Sequence, residues 1–341
     1  MPVKSIERLP LLNGATGGLL TTIPVDRFYR LRRSKIRALL MEGLDVQTGK
    51  DLAGIAYSSD GRTLTASFED GSSATGCLLI GTDGPHSTVR QLLVGADKAK
   101  VVPIDYAATM CFSQHTREHA LYLRSPPFHP LFQCASHPAG YFAWLGLHDV
   151  LDPESPETWT FFHYISFPEP RDESTPRTTA ERVAHQKSLA KQFADPFRSV
   201  FEWIPDDTPT AWYGKLQHWD PLAPGNRWEN QSGRVTLAGD AAHPMTFQRG
   251  QGLNHAITDA LKLVQAIERH WDGGNEFNEE ERVKAIEAYE NEMVTRTSEE
   301  VRLGEMNTVM MHDWVRLKES PVMTRGMDKV ERCASIQINL N

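Results

Sequence analysis

The hydrophobic pattern of the chain changes period several times. Residues 1–22, with Asn13-Gly14 and Gly17-Gly18, read as a turn-rich lead-in. Pro24-Val25-Asp26 then starts a helix capped by Asp26, with Phe28, Leu31, Ile36, Leu39 and Leu40 on one face and Gly43 at its end. From 44 to 80 the period falls to two. Ile55-Ala56-Tyr57, Leu64–Phe68 and Cys77–Ile80 predict strands, with hairpin turns at Asp60-Gly61 and Asp70-Gly71. Alternating runs at Tyr106–Phe112, Leu131–Ala135, Tyr141–Leu145 and Trp159–Ile165 predict a second, antiparallel sheet. The stretch 171–204 is polar and then helical, with Val183, Leu189, Phe193, Phe197, Val200 and Phe201 on one face. Val235, Leu237 and Ala238 form a short buried strand, and Leu253, Ile257, Leu261, Val264 and Ile267 follow at the spacing of one helix face. Residues 278–318 predict a long charged helix and 319–341 a peripheral tail.

Composition narrows the class. A chain of 341 residues, 40% hydrophobic and 23% charged, can bury a substantial core as one large domain or two interlocked ones. A formal net charge of -8 argues against a general phosphate-backbone binder, so no nucleic-acid partner is expected. Cys77, Cys111, Cys134 and Cys333 are far apart without metal-ligand spacing and read as reduced thiols of a cytoplasmic protein. No metal site and no membrane segment is expected.

The chemistry concentrates where a strand ends in a glycine turn that opens a helix, and this happens twice. Gly81-Thr82-Asp83-Gly84 follows the strand ending at Ile80, and Ser87 can cap the next helix, which carries Val89 and Arg90. Gly239-Asp240 follows Val235–Ala238, and Gly250-Gln251-Gly252 leads into the helix after it. Uncapped N–H groups at a helix start attract anions, and glycine lets a phosphate or a flat ring approach the backbone. An acidic group at a strand end can accept hydrogen bonds from sugar hydroxyls. Taken locally, either turn could equally be structural, with a satisfied Asp or a structural arginine. His218, His243 and His255 read as structural or hydrogen-bonding groups, because local spacing puts no carboxylate or nucleophile beside them. No catalytic residue is assigned.

The two stretches together resemble a known family. Gly239-Asp240-Ala241-Ala242-His243-Pro244 followed by Gly250-Gln251-Gly252 resembles the second flavin-contacting motif of the FAD-dependent aromatic hydroxylases, the para-hydroxybenzoate hydroxylase-type monooxygenases. Gly81–Arg90 resembles their Asp-Gly motif, with Thr82 replacing the usual alanine. Arg33-Ser34-Lys35-Ile36-Arg37-Ala38-Leu39-Leu40 looks like the family's Arg-x-x-Leu helix. The resemblance implies cofactor-binding roles for Arg33, with Arg32 and Arg37 as second choices. It implies the same for Asp83, for Asp240 at the ribityl or pyrophosphate part of FAD, and for Gly250, Gly252, Leu253 and Asn254 beside the flavin ring. The family has proline where this chain has Phe247.

The fold that the resemblance implies is α/β (α+β), a truncated FAD-binding Rossmann-like domain interleaved with an antiparallel-sheet substrate domain. Residues 1–22 match the family only from a point after the strand–Gly-x-Gly-x-x-Gly–helix unit, which is not found in the sequence. Expected boundaries are 1–100 for a partial FAD-binding domain, 101–218 for the substrate domain, 219–275 for the return to the FAD domain and 276–341 for a helical C-terminal segment. Some of Phe132, Phe142, Trp144 and Phe162 could line an apolar pocket, although such aromatics are most often plain core. The implied function is an FAD-dependent monooxygenase using NAD(P)H and O2 to hydroxylate or epoxidise a hydrophobic or phenolic small molecule, in fungal-like secondary metabolism. The alternative is a flavin-free cyclase or isomerase, or an inactive pseudoenzyme, on the same scaffold.

Overall fold

The computed structural model describes residues 8–24, 31–125, 131–169, 175–271, 273 and 277–325. The expected helix start at Asp26, Phe28, Cys333 and the tail beyond Arg325 lie outside the described residues. The described residues group into two compact units: those within 1–42, 105–216 and 306–341 form one, and those within 43–104 and 217–305 form the other. Residues 1–42 thus fall with the large sheet and not with the glycine-turn unit.

The first unit is built on a seven-stranded sheet. Its strands are β1 (Arg8–Asn13), β2 (Leu19–Pro24), β7 (Val102–Gln114), β8 (Phe132–Ser136), β9 (Phe142–Asp149), β10 (Thr160–Pro168) and β11 (Ala211–His218), in the order β11-β7-β10-β9-β8-β1-β2. β7, β10, β9 and β8 pair antiparallel, as their alternation predicts. The lead-in differs from expectation, because β1 and β2 form an antiparallel hairpin and β1 joins β8 in parallel. Leu9, Leu11 and Ile23 are buried in it, and Asn13 closes its turn by donating its N–H to Gly18 O at 2.7 Å.

Period two sends alternate residues of this sheet to opposite faces. One face, with Cys111, His163 and Ile165, is covered by helix α4 (Thr179–Ala190), whose buried Gln186 donates to His163 O at 2.9 Å and accepts from the Cys111 thiol at 3.1 Å. The single helix expected near 183–201 is two: α4 ends at Ala190, and α5 (Phe197–Glu202) starts after Pro196. The other face carries Phe132, Trp144 and Phe162, with ring centroids 5.4 and 5.7 Å apart around Trp144. Gly146 lies between Phe132 and Phe162 in the register, and a Cβ there would stand 2.6 Å from Phe132 Cβ. Short helices α1 (Arg33–Met41), α3 (Arg117–Tyr122) and α8 (Pro321–Arg325) complete the unit.

The second unit contains the meander β3 (Leu52–Tyr57), β4 (Leu64–Phe68) and β5 (Ser73–Gly76), the third strand of which is exposed, has no large apolar residue and gave no periodic signal. Beside it β6 (Leu79–Gly81) and β12 (Val235–Leu237) pair in parallel. Around them pack α2 (Thr88–Val94), α6 (Gly252–His270) and the 34-residue α7 (Glu279–His312). Val89, Trp219, Val235, Leu237, Leu263, Tyr289 and Met293 are core residues of the unit. No helix among the described residues is long and apolar enough to cross a membrane.

Candidate cofactor site

The two glycine turns predicted from the sequence meet because their strands are neighbours. Val235, Thr236 and Leu237 lie opposite Leu79, Ile80 and Gly81, so the segments that follow leave from the same, carboxyl ends of paired parallel strands. In open α/β sheets that end is where ligands bind. A Cβ on Gly81 would come within 2.7 Å of Val89 Cβ and 2.8 Å of Leu237 Cδ2, so glycine lets α2 and β12 close on β6.

Arg90 ties the turns together. It is 1% exposed, and its guanidinium donates to Ala99 O, to Ala241 O at 2.7 Å, to Asp240 O at 3.4 Å and to Pro85 O, while stacking over Trp219 at 4.8 Å. Burial pushes its pKa down to about 10 against the raising effect of Asp83, which leaves it a cation at neutral pH. Every one of these acceptors is a main-chain carbonyl, so Arg90 fixes backbone shape in both turns. Its role is invisible to local spacing because Asp240 and Ala241 are 150 and 151 residues away.

The two predicted aspartates differ in what they do. Asp83 accepts from Ser87 Oγ at 2.5 Å, from Thr88 N at 2.6 Å and from Val89 N at 3.1 Å, while Ser87 Oγ in turn accepts from Arg90 N at 2.9 Å. Its carboxylate thereby satisfies N–H groups at the start of α2. Asp240 is half-buried, and its carboxylate has no hydrogen-bond partner among the described residues. It lies at the start of α6, with Oδ1 3.8 Å from where a Cβ on Gly252 would be.

The start of α6 is itself open. Gln251 provides no side-chain cap, and the N–H groups of Gly252, Leu253 and Asn254 have no acceptor among the described residues. Gly250, at φ 64°, makes the left-handed turn that delivers the chain to this helix. Asn254 Nδ2 donates to Gln251 Oε1 at 3.0 Å, and the exposed side chains of Leu253 and Phe247 offer apolar surface in the same segment. The structure therefore brings together Asp240, Gly250, Gly252, Leu253 and Asn254, with the Asp83 turn joined to them through Arg90. Free N–H groups, a free carboxylate and apolar side chains suit a ligand with anionic, hydroxylated and planar parts. FAD fits that donor set.

Arg33 opens α1 in the other unit, exposed and without a partner among the described residues. The second choice Arg32 is instead engaged with Asp149 at 2.6 Å, as is Lys35 at 2.7 Å. The histidines do have carboxylate partners, supplied by tertiary and not local spacing: His218 lies 3.4 Å from Glu305, buried His243 2.6 Å from Asp259, and His255 3.7 Å from Glu300. Asp259 Oδ2 also accepts from Gly239 N at 2.8 Å, so it braces the turn bearing Asp240.

Comparison with known proteins agrees with this geometry. The FAD binding domain family matches residues 20–293. The chain belongs to that family. It is 40% identical over 320 residues to the FAD-dependent monooxygenase cctM of Talaromyces islandicus, covering 94% of this chain and 76% of that one. It is 36% identical over 322 residues to the FAD-dependent monooxygenase phnB of Penicillium herquei, covering 93% and 75%. Among solved structures, Klebsiella pneumoniae HpxO complexed with FAD and uric acid superimposes with a TM-score of 0.65 at 19% identity, over 95% of this chain and 77% of that one. That likeness speaks to fold alone. The flavoprotein monooxygenase resemblance carried by the two turns is thereby established, with FAD as the family's cofactor.

Proposed function

We propose that this FAD-binding-domain protein uses NAD(P)H and O2 to hydroxylate or epoxidise a hydrophobic or phenolic small molecule of fungal secondary metabolism. The observation that carries the reading is the unspent Asp240 carboxylate beside the uncapped start of α6. The Asp83 carboxylate, by contrast, is taken up by donors of its own turn and helix start. In this reading Asp240 accepts hydrogen bonds from cofactor hydroxyls, the N–H groups of Gly252–Asn254 meet its anionic or ring-carbonyl oxygens, and Leu253 flanks its ring. Arg33 is proposed as a cofactor-binding residue on the family resemblance of its helix alone. Bound FAD supplies the redox chemistry that delivers one oxygen atom of O2 to a substrate. The chain's own contribution is to orient the cofactor and to exclude water from an apolar substrate surface.

The sheet unit holds the observation that supports the proposed substrate class. Phe132 and Phe162 are buried against Trp144 in an aromatic cluster, and the buried Trp144 indole N–H has no acceptor among the described residues. An apolar cluster with one spare donor is in keeping with an aromatic ring bearing a phenolic or carbonyl oxygen.

The test is to purify the chain, titrate it with FAD while recording visible absorption, and follow NAD(P)H oxidation with phenolic aromatics under labelled dioxygen. Flavin uptake with substrate-stimulated NAD(P)H consumption and one labelled oxygen in product is expected. A protein that converts substrate without flavin would overturn the reading in favour of a cyclase or isomerase.

A further inference from the structure

We propose that Asp259, Arg296 and Glu300 are positioning residues forming one charged ladder that sets the geometry of both flavin-facing turns at once. The inference rests on the FAD reading above for its functional meaning, but the ladder itself is defined by contacts within one unit.

At one end, Asp259 Oδ2 on α6 accepts from Gly239 N at 2.8 Å and pairs with His243 Nε2 at 2.6 Å, gripping the turn that presents Asp240. Its other oxygen, Oδ1, accepts from Arg296 on α7 at 2.8 Å. Arg296 also contacts His255 Nδ1 at 2.8 Å and holds Glu292 through two bonds of 2.8 and 3.1 Å. His255 lies 3.7 Å from Glu300, and Glu300 binds Arg249, which belongs to the turn delivering Gly250. Glu292, Arg296 and Glu300 are spaced by four, so the α7 members of the ladder lie on a single stripe of that helix.

Three features distinguish this from an ordinary stabilising cluster. Asp259, His243 and His255 are at most 1% exposed, a placement in which ion pairs contribute little net stability relative to apolar packing. Burial pushes the Asp259 and Glu300 carboxyls up, yet their partners more than offset this and hold both below the usual range, so both remain charged. Finally, the ladder ends on the two segments whose backbone the cofactor would meet: the Gly239 N–H at one end and the Phe247–Arg249 turn at the other. A device with these ends fixes the separation of Asp240 from the Gly250–Gly252 backbone, which neither turn can fix alone.

The experiment compares the full chain with Arg296→Met, with the conservative Arg296→Lys, and with Arg302→Met, which removes the Asp220 ion pair elsewhere on α7. FAD affinity is read by fluorescence quenching, bound-flavin environment by the shape of the visible band, and the turns directly by amide exchange of Gly239 and Gly250 in the cofactor-free protein. Arg296→Met is expected to weaken FAD about tenfold or more, to alter the visible band, and to speed exchange at both glycines about tenfold. Arg296→Lys should recover most of each effect, and Arg302→Met should match wild type in all three. Should Arg296→Met not fold, Arg296→Lys still decides the matter, through a smaller but parallel change at both glycines. Unchanged exchange and affinity in the Arg296 variants, or a change at one turn only, overturns the ladder. Wild-type protein that takes up no FAD overturns the functional reading instead, while the exchange measurements still judge the ladder.

Discussion

Asp83 and Asp240 occupy matching places after paired strands, yet their surroundings assign them opposite duties. The Asp240 carboxylate has no hydrogen-bond partner among the described residues, so on the proposed reading alanine there removes a cofactor contact and no side-chain bond of the folded chain. Asp240→Ala is expected to weaken FAD by about tenfold to thirtyfold, the worth of a charge-assisted hydrogen bond of roughly 1.5–2 kcal/mol, with the melting temperature unchanged. Titration and calorimetry on one preparation check both halves. Asp83 holds three donors at the start of α2, one of them Ser87 Oγ and two of them main-chain N–H groups. Asp83→Ala should therefore cost about 1–2 kcal/mol of unfolding free energy, as loss of a helix cap does, and reach FAD only through the altered turn. A variant with normal stability but lost FAD binding would reverse this assignment.

At the scale of elements, glycine decides how closely the site's supports approach. Gly81 ends β6 where Val89 of α2 and Leu237 of β12 leave no room for a methyl group. Gly81→Ala is expected to lose about 1–3 kcal/mol through overpacking and to weaken FAD secondarily, read by urea unfolding followed by titration. Wild-type stability would mean that α2 can move aside. Gly81 also shows what the sequence could tell. The strand, the turn and the start of the helix were legible because each is a local signal: an apolar run, Asp-Gly, and Ser87 three residues before the N–H it accepts. The four sheet strands from β7 to β10 were legible for the same reason, since their period of two survives burial on both faces. β5 and the β1–β2 hairpin were not. The first is Ser73-Ala74-Thr75-Gly76 and pairs as an exposed edge, and the second shows its apolar residues only as Leu9, Leu11 and Ile23 across a glycine-rich turn. Arg90, Asp259 and Arg296 were illegible as site residues because the contacts that tie Arg90 to Ala241, Asp259 to His243 and Arg296 to Asp259 span 151, 16 and 37 residues, beyond any periodicity.

For the molecule as a whole, buried histidines of the sheet unit give folding a pH dependence. His115 and His163 face each other at 3.1 Å between their Nε2 atoms, so one must donate and the other accept, and both cannot be protonated. Burial, with the neighbouring His119 adding to it, pulls His115 down to about 4, and burial with His115 beside it pulls His163 well below its ordinary value. Burial likewise pulls His312 down to about 4, despite its hydrogen bonds to Thr308 O and Ser166 Oγ. In the unfolded chain each histidine titrates near about 6.5. Below that value the unfolded state binds protons that the folded state refuses, so stability is fully present above about pH 7 and declines as pH falls from about 6.5 toward 4. Each such histidine contributes up to about 1.4 kcal/mol per pH unit to the slope. Urea midpoints should be flat between about pH 7 and 8 and fall steeply by about pH 5. His312→Asn should be less stable than wild type at neutral pH, through its lost bonds, yet show a slope shallower by about one proton. A midpoint that does not change between about pH 7.5 and 5, or a variant with the wild-type slope, would mean that these rings are protonated in the folded state and that the unit accommodates their charge.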